Sequence, residues 1–286
     1  MAETHNIAEM ATKLARELFP MFYWEEIKPS DQNWNCVKEQ HKKKTHPTDA
    51  VYRFNHPYTG KLTYIIFDFK SFANTSISPE EMGKAVRNLA LTLDCAMVSD
   101  GWQNLYLRDK SFDIQGCLFV YNHDNDYKNI LANQLNSNLK KNFPNNWPKL
   151  QKNHEITIVD PHTIIYLNSI YKDLMILSSK KQIPDLEFIG FYQPDKYLKS
   201  QKLTGNNHYK VPLMPEQLSS EIIIIRYDSG IPGKEGFIVY YRGVGDNEDE
   251  FIYLIDLLFT YQIIDHASEI KLRLINSNKY SNINLG

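Results

Sequence analysis

The stretch LTYIIFDFKSF, Leu62 to Phe72, decides the fold because it is apolar on both faces for most of its length. Side chains alternate across a β-strand, so the face that carries Tyr64 and Ile66 also carries Asp68 and Lys70. An apolar run of this kind predicts a strand that is covered on two sides, at the centre of a sheet. The charged pair at its end needs compensation, which makes it the first candidate for a functional site.

Length and charge limit the class of protein. The chain has 286 residues, 42% of them hydrophobic, which is enough for one large domain or two of ordinary size. It has no apolar run of about 18 residues, and Glu9, Lys13 and Arg16 interrupt the region where a signal peptide would be apolar. We therefore expect a soluble, cytoplasmic protein without membrane contact. The net charge of -2 means that any nucleic-acid-binding surface must be local.

The cysteines give a further expectation. Cys36, Cys95 and Cys117 have no CxxC spacing and cannot all pair with one another. This pattern predicts neither a disulfide framework nor a structural zinc site, and it fits a reducing compartment.

The first element is an amphipathic helix. Met10, Leu14 and Leu18 recur at helical spacing, and Pro20 ends the pattern. Glu17 follows Leu14 by three residues, so the spacing places it on the apolar side of this helix.

A hairpin follows the polar segment 31–48. Asp49 opens a short strand at 50–54, and a turn with Pro57 and Gly60 leads into the strand Leu62–Phe72. Asp49 thus stands at the mouth of the hairpin.

The strand 62–72 is followed by a helix start. Ser78 and Glu81 form a capping-box pattern, with Pro79 at the first helical position, so we expect a helix that packs on the sheet. The rest of a first unit, residues 1–180, is predicted as a strand at 116–122, a helix at 127–139, a strand at 155–160 and a helix at 163–177.

A second unit, residues 181–286, has a different pattern. Strands are predicted at 185–192, 221–228, 236–243 and 269–275, with one strong helix at 248–264. This order predicts a smaller α+β domain of the split βαβ kind, which would bind a protein partner, form a homo-oligomer or regulate access. Its aromatic residues are typical of a core or a protein interface and would also suit stacking on nucleobases.

The order of chemical groups in the first unit resembles the PD-(D/E)xK nuclease superfamily. The resemblance lies in a helix with Glu17, a hairpin with Asp49, and then Asp68 and Lys70 before a capped helix. Pro47 stands two positions before Asp49, whereas the superfamily motif has its proline directly before the acidic residue. The resemblance implies an α/β, restriction-endonuclease-like fold with a mixed sheet flanked by helices. It also implies that the two aspartates hold Mg²⁺ or Mn²⁺ and that the lysine positions or activates the attacking water.

These residue types suit phosphodiester hydrolysis. The reaction needs a nucleophilic water and stabilisation of charge on the phosphoryl and leaving oxygens, which a magnesium ion supplies. Magnesium prefers hard oxygen ligands and keeps several waters, so one or two carboxylates suffice. The resemblance assigns Asp49 and Asp68 as ligands, with Glu17 and the backbone carbonyl of Phe69 as further candidates. Glu9 lies on the same helix and is an alternative to Glu17.

A basic segment precedes the hairpin. Lys42, Lys43, Lys44 and His46 lie shortly before Asp49, so a catalytic hairpin would bring them near the phosphate path of a nucleic acid. A solvated loop is an equally good interpretation.

A second group of possible metal ligands lies between Asn122 and Asp126. It lacks the regular spacing and terminal glutamate of a calcium loop. The run is more typical of a strand exit followed by a helix cap.

Two functions follow from the sequence. The resemblance implies a metal-dependent endonuclease, with DNA favoured over RNA, that acts as an effector in a bacterial defence complex. The alternative is a non-catalytic scaffold subunit that retains Asp68 and Lys70 as a solvated ion pair worth about 0 to 1 kcal/mol. Nucleotide-binding glycine loops and the GxSxG elbow do not occur in the sequence.

Overall fold

The computed structural model describes residues 2–108, 111–128, 155–193, 210–245 and 247–275. Packing divides the chain into two compact units. The first comprises Met1–Pro20, Trp24–Asn55 and Lys61–His162, and the second comprises Met21–Tyr23, His56–Gly60 and Thr163–Gly286. The division therefore falls inside the helix Pro161–Ser179, whereas the sequence pattern placed it after residue 180.

The first unit is built on a mixed sheet. Its strands are β1 (Glu25–Ile27), β2 (Gln32–Asn35), β3 (Thr45–Thr48), β4 (Ala50–Asn55), β5 (Leu62–Phe72), β6 (Phe112–Asn122) and β7 (Ile156–Val159). Five of them form the sheet in the order β1-β4-β5-β6-β7, and β2 pairs separately with β3. β4 is antiparallel to β1 and β5, whereas β5, β6 and β7 are parallel. With its flanking helices, this sheet confirms the predicted α/β class.

β5 is the central strand, as its two apolar faces predicted. It pairs with β6 along its whole length and with β4 over its first half. Tyr64 and Ile66 lie on one face, in a core shared with the helix α2 (Pro79–Ala96), and α3 (Asp100–Tyr106) contributes to the same core. Phe67 lies on the other face, where its ring contacts that of Phe19 at 4.7 Å.

The first helix, α1 (Ala2–Leu18), buries a narrower stripe than the sequence suggested. Ala11, Ala15 and Leu18 are buried, whereas Leu14 is half-buried and Glu17 is exposed. The expected place of Glu17 on the apolar side is wrong, because the buried residues lie at intervals of four and three that leave Glu17 on the outer side.

The start of α2 carries half of the expected capping box. Ser78 Oγ accepts a hydrogen bond from the Glu81 N–H at 3.2 Å. The N–H of Ser78 donates instead to the carbonyl of Ser76, and the Glu81 carboxylate accepts from Lys84. One reciprocal bond of the box is therefore replaced by a turn and by a surface ion pair.

The polar segment before the hairpin forms a two-stranded ribbon that the sequence did not predict. β2 and β3 are antiparallel, with Trp34 opposite His46. Trp34 Nε1 donates to Thr48 Oγ1 at 3.0 Å, and the rings of Trp34 and His46 lie 5.0 Å apart. His46 is completely buried, so the prediction that it contacts nucleic acid is wrong for this structure.

The second unit has its own sheet. Its elements are α4 (Pro161–Ser179), β8 (Ile189–Phe191), β9 (Ile222–Asp228), β10 (Glu235–Tyr241), α5 (Glu248–Thr260), α6 (Ile263–His266) and β11 (Ala267–Leu274). The strand order is β11-β10-β9-β8, and β10 pairs directly with β11 in parallel. The split βαβ arrangement is therefore wrong, because no strand lies between the two parallel strands that α5 connects.

The helix expected at 127–139 lies, from residue 129 onward, outside the described residues. Within the described ranges, no helix combines the length and the apolar character needed to cross a membrane.

Candidate active site

Asp49 and Asp68 converge on one face of the first sheet. β4 and β5 pair with Ala50 opposite Phe67, and the N–H of Asp49 donates to the carbonyl of Phe67 at 3.3 Å. Continuing this antiparallel register by one pair sets Asp49 opposite Asp68. Because side chains alternate, both carboxylates extend on the face that packs against α2.

The carboxylate of Asp49 is fixed by the neighbouring strand. Its Oδ2 accepts a hydrogen bond from the backbone N–H of Phe69 at 2.7 Å. Burial, and then the negative charge of Asp68, raise the pKa of Asp49 to about 6, although the Phe69 N–H and the charge of Lys70 oppose this rise. The two carboxylates are thus close enough to repel each other, and a cation between them would relieve that repulsion.

Lys70 belongs to the same group. Its Nζ donates to Asp68 Oδ1, and both side chains are half-buried. Two carboxylates beside one ammonium leave an excess of negative charge, and their oxygens are the hard ligands that Mg²⁺ and Mn²⁺ prefer. The residues present therefore fit the divalent cation that the sequence resemblance implied.

Phe69 contributes through its backbone. Its ring lies on the opposite face of β5, stacked on Phe67 with 5.5 Å between the ring centroids. Its N–H orients Asp49, and its carbonyl is the one oxygen of this residue that a metal ion could use.

Glu17 is not brought into this group. Phe19, which follows α1, contacts Phe67 and Phe119 on the sheet face opposite Asp68. α1 packs on that opposite face, and the Glu17 side chain is exposed.

A carboxylate that the sequence did not single out lies closer. The N–H of Asp31 donates to the carbonyl of Asp49 at 2.8 Å, and the charge of Asp31 adds to the rise in the pKa of Asp49 after burial and Asp68. Asp31 is exposed and stands in a polar segment without periodicity, so no sequence signal marks it. It is a candidate for a further ligand reached through water.

The three lysines differ in their relation to the site. Lys42 and Lys44 are exposed, whereas Lys43 is half-buried and donates from Nζ to Asn88 Oδ1 at 2.7 Å. Burial lowers the pKa of Lys43, and the charges of Asp68 and Cys36 oppose this change. Lys43 is therefore within electrostatic reach of Asp68, and the other two lysines extend into solvent.

The run Asn122–Asp126 organises a strand exit. Asp124 accepts hydrogen bonds from the Asn74 N–H at 2.8 Å, from Asn122 Nδ2 at 2.6 Å and from the Asp126 N–H at 3.3 Å. These donors, led by the Asn74 N–H, hold the pKa of Asp124 below its usual range. Its carboxylate joins the ends of β5 and β6, which agrees with a structural role for this run.

One comparison with known proteins gives a match. A family model described as the GAPS4 protein PD-(D/E)XK nuclease domain matches residues 1–163, which is more than half of the 286-residue chain. The matched range contains the whole first sheet together with Asp49, Asp68 and Lys70. No curated protein and no solved structure matches the chain.

Proposed function

We propose that the first unit is a metal-dependent endonuclease, because the chain belongs to the GAPS4 PD-(D/E)XK nuclease domain family. The observation that carries this proposal is the convergence of Asp49 and Asp68 on one sheet face beside Lys70. An isolated surface ion pair would not need a second, half-buried carboxylate whose pKa is raised by burial and by the charge of the first.

Each residue has a role in this proposal. Asp49 and Asp68 hold Mg²⁺ or Mn²⁺, and Phe69 keeps Asp49 oriented through its N–H. The bound ion supplies stabilisation of the negative charge that develops on the phosphoryl and leaving oxygens. Lys70 positions the attacking water, because its ammonium lies beside the carboxylate that holds the metal.

The proposed substrate is DNA, with RNA as the alternative that the assay includes. Lys43 supports a nucleic-acid substrate because it places a positive charge beside the carboxylates. A phosphate bound near Asp68 would lie close to the Lys43 ammonium. Each contact of this kind adds salt-dependent affinity.

The second unit is proposed to bind a protein partner. α5 buries Leu254 and Leu258 against its own sheet and exposes Ile252, Ile255 and Phe259 on its outer side. An exposed apolar stripe of this kind is typical of an interaction surface. We propose that the chain is the cytoplasmic effector of a bacterial defence complex, recruited or controlled through this surface.

A cleavage assay tests the enzyme proposal. Supercoiled plasmid DNA and a structured RNA are incubated with the full chain in Mg²⁺ or Mn²⁺, with and without the product of the neighbouring gene. Asp68→Asn and Lys70→Ala are expected to reduce cleavage by about 100-fold or more, because each removes a group that acts on the reacting atoms.

The sheet offers matched controls. Lys61 and Asp113 form an ion pair of 3.4 Å where the paired strands β5 and β6 begin, at the opposite end of β5 from Asp68 and Lys70. Asp113→Asn and Lys61→Ala should leave cleavage unchanged. Wild-type activity in Asp68→Asn would contradict the site, and a folded wild type that neither cleaves nor binds Mg²⁺ by calorimetry would favour the scaffold subunit.

A further inference from the structure

Cysteine and histidine side chains form a cluster outside the candidate active site. Cys36, His41, His46 and Cys95 each direct one ligand atom into it, and these atoms all lie within 4.8 Å of one another. Cys36 follows β2, His46 lies in β3, and Cys95 is in the last turn of α2. His41, His46 and Cys95 are buried and Cys36 is half-buried.

Three of the distances between ligand atoms are close to those of a tetrahedral metal site. Cys36 Sγ is 3.9 Å from Cys95 Sγ and 3.6 Å from His41 Nδ1, and His41 Nδ1 is 3.4 Å from His46 Nε2. A tetrahedral Zn²⁺ with Zn–S of about 2.3 Å and Zn–N of about 2.05 Å requires about 3.8 Å between sulfurs, 3.5 Å from sulfur to nitrogen and 3.3 Å between nitrogens. These three distances match the tetrahedral values closely, and the other pairs of ligand atoms lie within 4.8 Å of one another, so a bound ion would draw the remaining contacts together.

The partner of His41 fixes which of its ring nitrogens carries the lone pair. His41 Nε2 lies 2.9 Å from Oδ2 of Asp94, and a carboxylate can only accept, so Nε2 carries the proton. The Nδ1 lone pair therefore points into the cluster. Lys38 holds the same carboxylate through a 2.7 Å ion pair to Oδ1. A carboxylate behind a histidine is the usual outer partner of a metal-bound imidazole.

His46 is oriented in the same sense. Its Nδ1 lies 3.4 Å from Thr92 Oγ1, and that hydroxyl donates to the carbonyl of Asn88 at 3.0 Å. Thr92 Oγ1 therefore accepts from the Nδ1–H of His46, and the Nε2 lone pair points into the cluster. Two imidazole nitrogens thus face each other across a buried space, an arrangement that a metal ion between them would stabilise.

The cysteines complete the donor set. The backbone N–H of Val37 donates to Cys95 Sγ at 3.3 Å, so this sulfur already contacts the segment that carries Cys36. Two thiolates balance the charge of one Zn²⁺, so binding to the buried cluster releases two thiol protons and leaves a neutral centre.

We propose that Cys36, His41, His46 and Cys95 bind one Zn²⁺ as a closed structural site. With four protein ligands the ion has no open position for water or substrate, so it is not a catalytic metal. The sulfur ligands select zinc over magnesium, which separates this ion from the one proposed at Asp49 and Asp68. The sequence argument against structural zinc relied on CxxC spacing, whereas α2 brings Cys95 to within 3.9 Å of Cys36 although the two lie 59 residues apart in sequence.

The site would fasten the ribbon to α2. Lys43 lies between His41 and His46 in the sequence. His46 is in β3, which ends directly before Asp49. A zinc ion would therefore hold both the Lys43 loop and the start of the Asp49 strand against α2, on the sheet face that carries Asp68.

Metal analysis of the purified full chain tests the proposal without any cleavage assay. Inductively coupled plasma mass spectrometry is expected to find about one zinc per chain, retained after dialysis against excess Mg²⁺. Cys36→Ala and Cys95→Ala should lose the zinc. Cys117→Ala is the matched control, because Cys117 is buried in β6 away from the cluster and its variant should keep the zinc. Zinc retained in both Cys36→Ala and Cys95→Ala would overturn the proposal.

Cobalt spectroscopy on the wild type does not depend on whether a variant folds. Co²⁺ bound by two sulfurs and two nitrogens in a tetrahedron gives intense visible bands and a thiolate-to-cobalt charge-transfer band in the near ultraviolet. Addition of zinc should abolish both. A reduced wild-type chain that takes up neither metal, or one isolated with a Cys36–Cys95 disulfide that binds no metal after reduction, would overturn the proposal. The nuclease proposal stands or falls separately, because cleavage is not the readout.

Discussion

The backbone N–H of Phe69 donates a 2.7 Å hydrogen bond to Oδ2 of Asp49, which connects β5 to the residue directly before β4. Phe69 stands between Asp68 and Lys70, so a single peptide group sets the position of Asp49 relative to both. The candidate site is thereby built on paired strands, whose backbone positions vary less than those of a loop.

Removing the charge of Asp49 is predicted to stabilise the protein when no divalent metal is bound to the aspartates. Asp49→Asn keeps an oxygen that accepts from the Phe69 N–H but removes the cost of burying a charge and the repulsion by Asp68. The folded-state pKa of about 6 lies above the ordinary aspartate pKa of 3.8, so ionised Asp49 costs stability above pH 6, and this cost disappears as the pH falls towards 4. The expected gain at pH 7.5 is about 1 to 3 kcal/mol.

Urea unfolding in magnesium-free buffer at pH 7.5 and at pH 4 measures this difference. The variant should exceed the wild type in unfolding free energy only at the higher pH. Asp113→Asn serves as the control, and an Asp49→Asn chain that is no more stable than the wild type at pH 7.5 would contradict the inferred repulsion.

Magnesium or manganese is predicted to raise the melting temperature of the wild type. A ligand that binds only the folded state at 100 times its dissociation constant adds about 2.7 kcal/mol. Asp68→Asn should lose this increase, because one of the two carboxylates no longer carries charge, whereas Asp113→Asn should keep it. A thermal shift of equal size in all three proteins would place the ion elsewhere.

Lys43 is predicted to matter more for substrate than its two neighbours. Lys43→Ala should weaken nucleic-acid binding and reduce the slope of log K against log salt by about 1, because it removes one phosphate contact. Lys42→Ala, which removes an exposed charge one residue away, is the matched control and should change the slope less. Fluorescence anisotropy with a labelled duplex at several salt concentrations measures both, with Mg²⁺ replaced by Ca²⁺ to limit cleavage. Equal effects at the two positions would favour a solvated loop.

The sequence predicted the elements whose formation depends on local pattern. β5 and α2 were predictable because their apolar spacing and the Ser78 cap act within a few residues. Asp49 and Asp68 could be proposed as a pair because a hairpin brings neighbouring segments together. The ribbon of β2 and β3 was missed because its strands are short and polar, and their partner α2 lies far along the chain.

The same limit applies to the site residues. Glu17 was placed from helical spacing alone, and the structure shows that the buried stripe lies on Ala11, Ala15 and Leu18 instead. His46 was grouped with the lysines because it is their neighbour in sequence, yet the ribbon directs it inward against Trp34. Neighbours in sequence need not share a surface, because successive side chains of a strand point to opposite faces.

The apolar stripe on α5 is predicted to mediate association. Ile255→Lys places a charge at the middle of the exposed residues Ile252, Ile255 and Phe259, so it should prevent binding of a partner while changing stability by no more than about 0.5 kcal/mol. Ile231→Lys is the matched control, since Ile231 is an isoleucine of the same unit with 55% exposure outside the stripe. Light scattering of the purified chain and co-purification with the neighbouring gene product measure the effect: a homo-oligomer would become monomeric, and a hetero-complex would lose its second protein. If the stripe only faces solvent and binds no protein, both measurements will be the same in Ile255→Lys and Ile231→Lys.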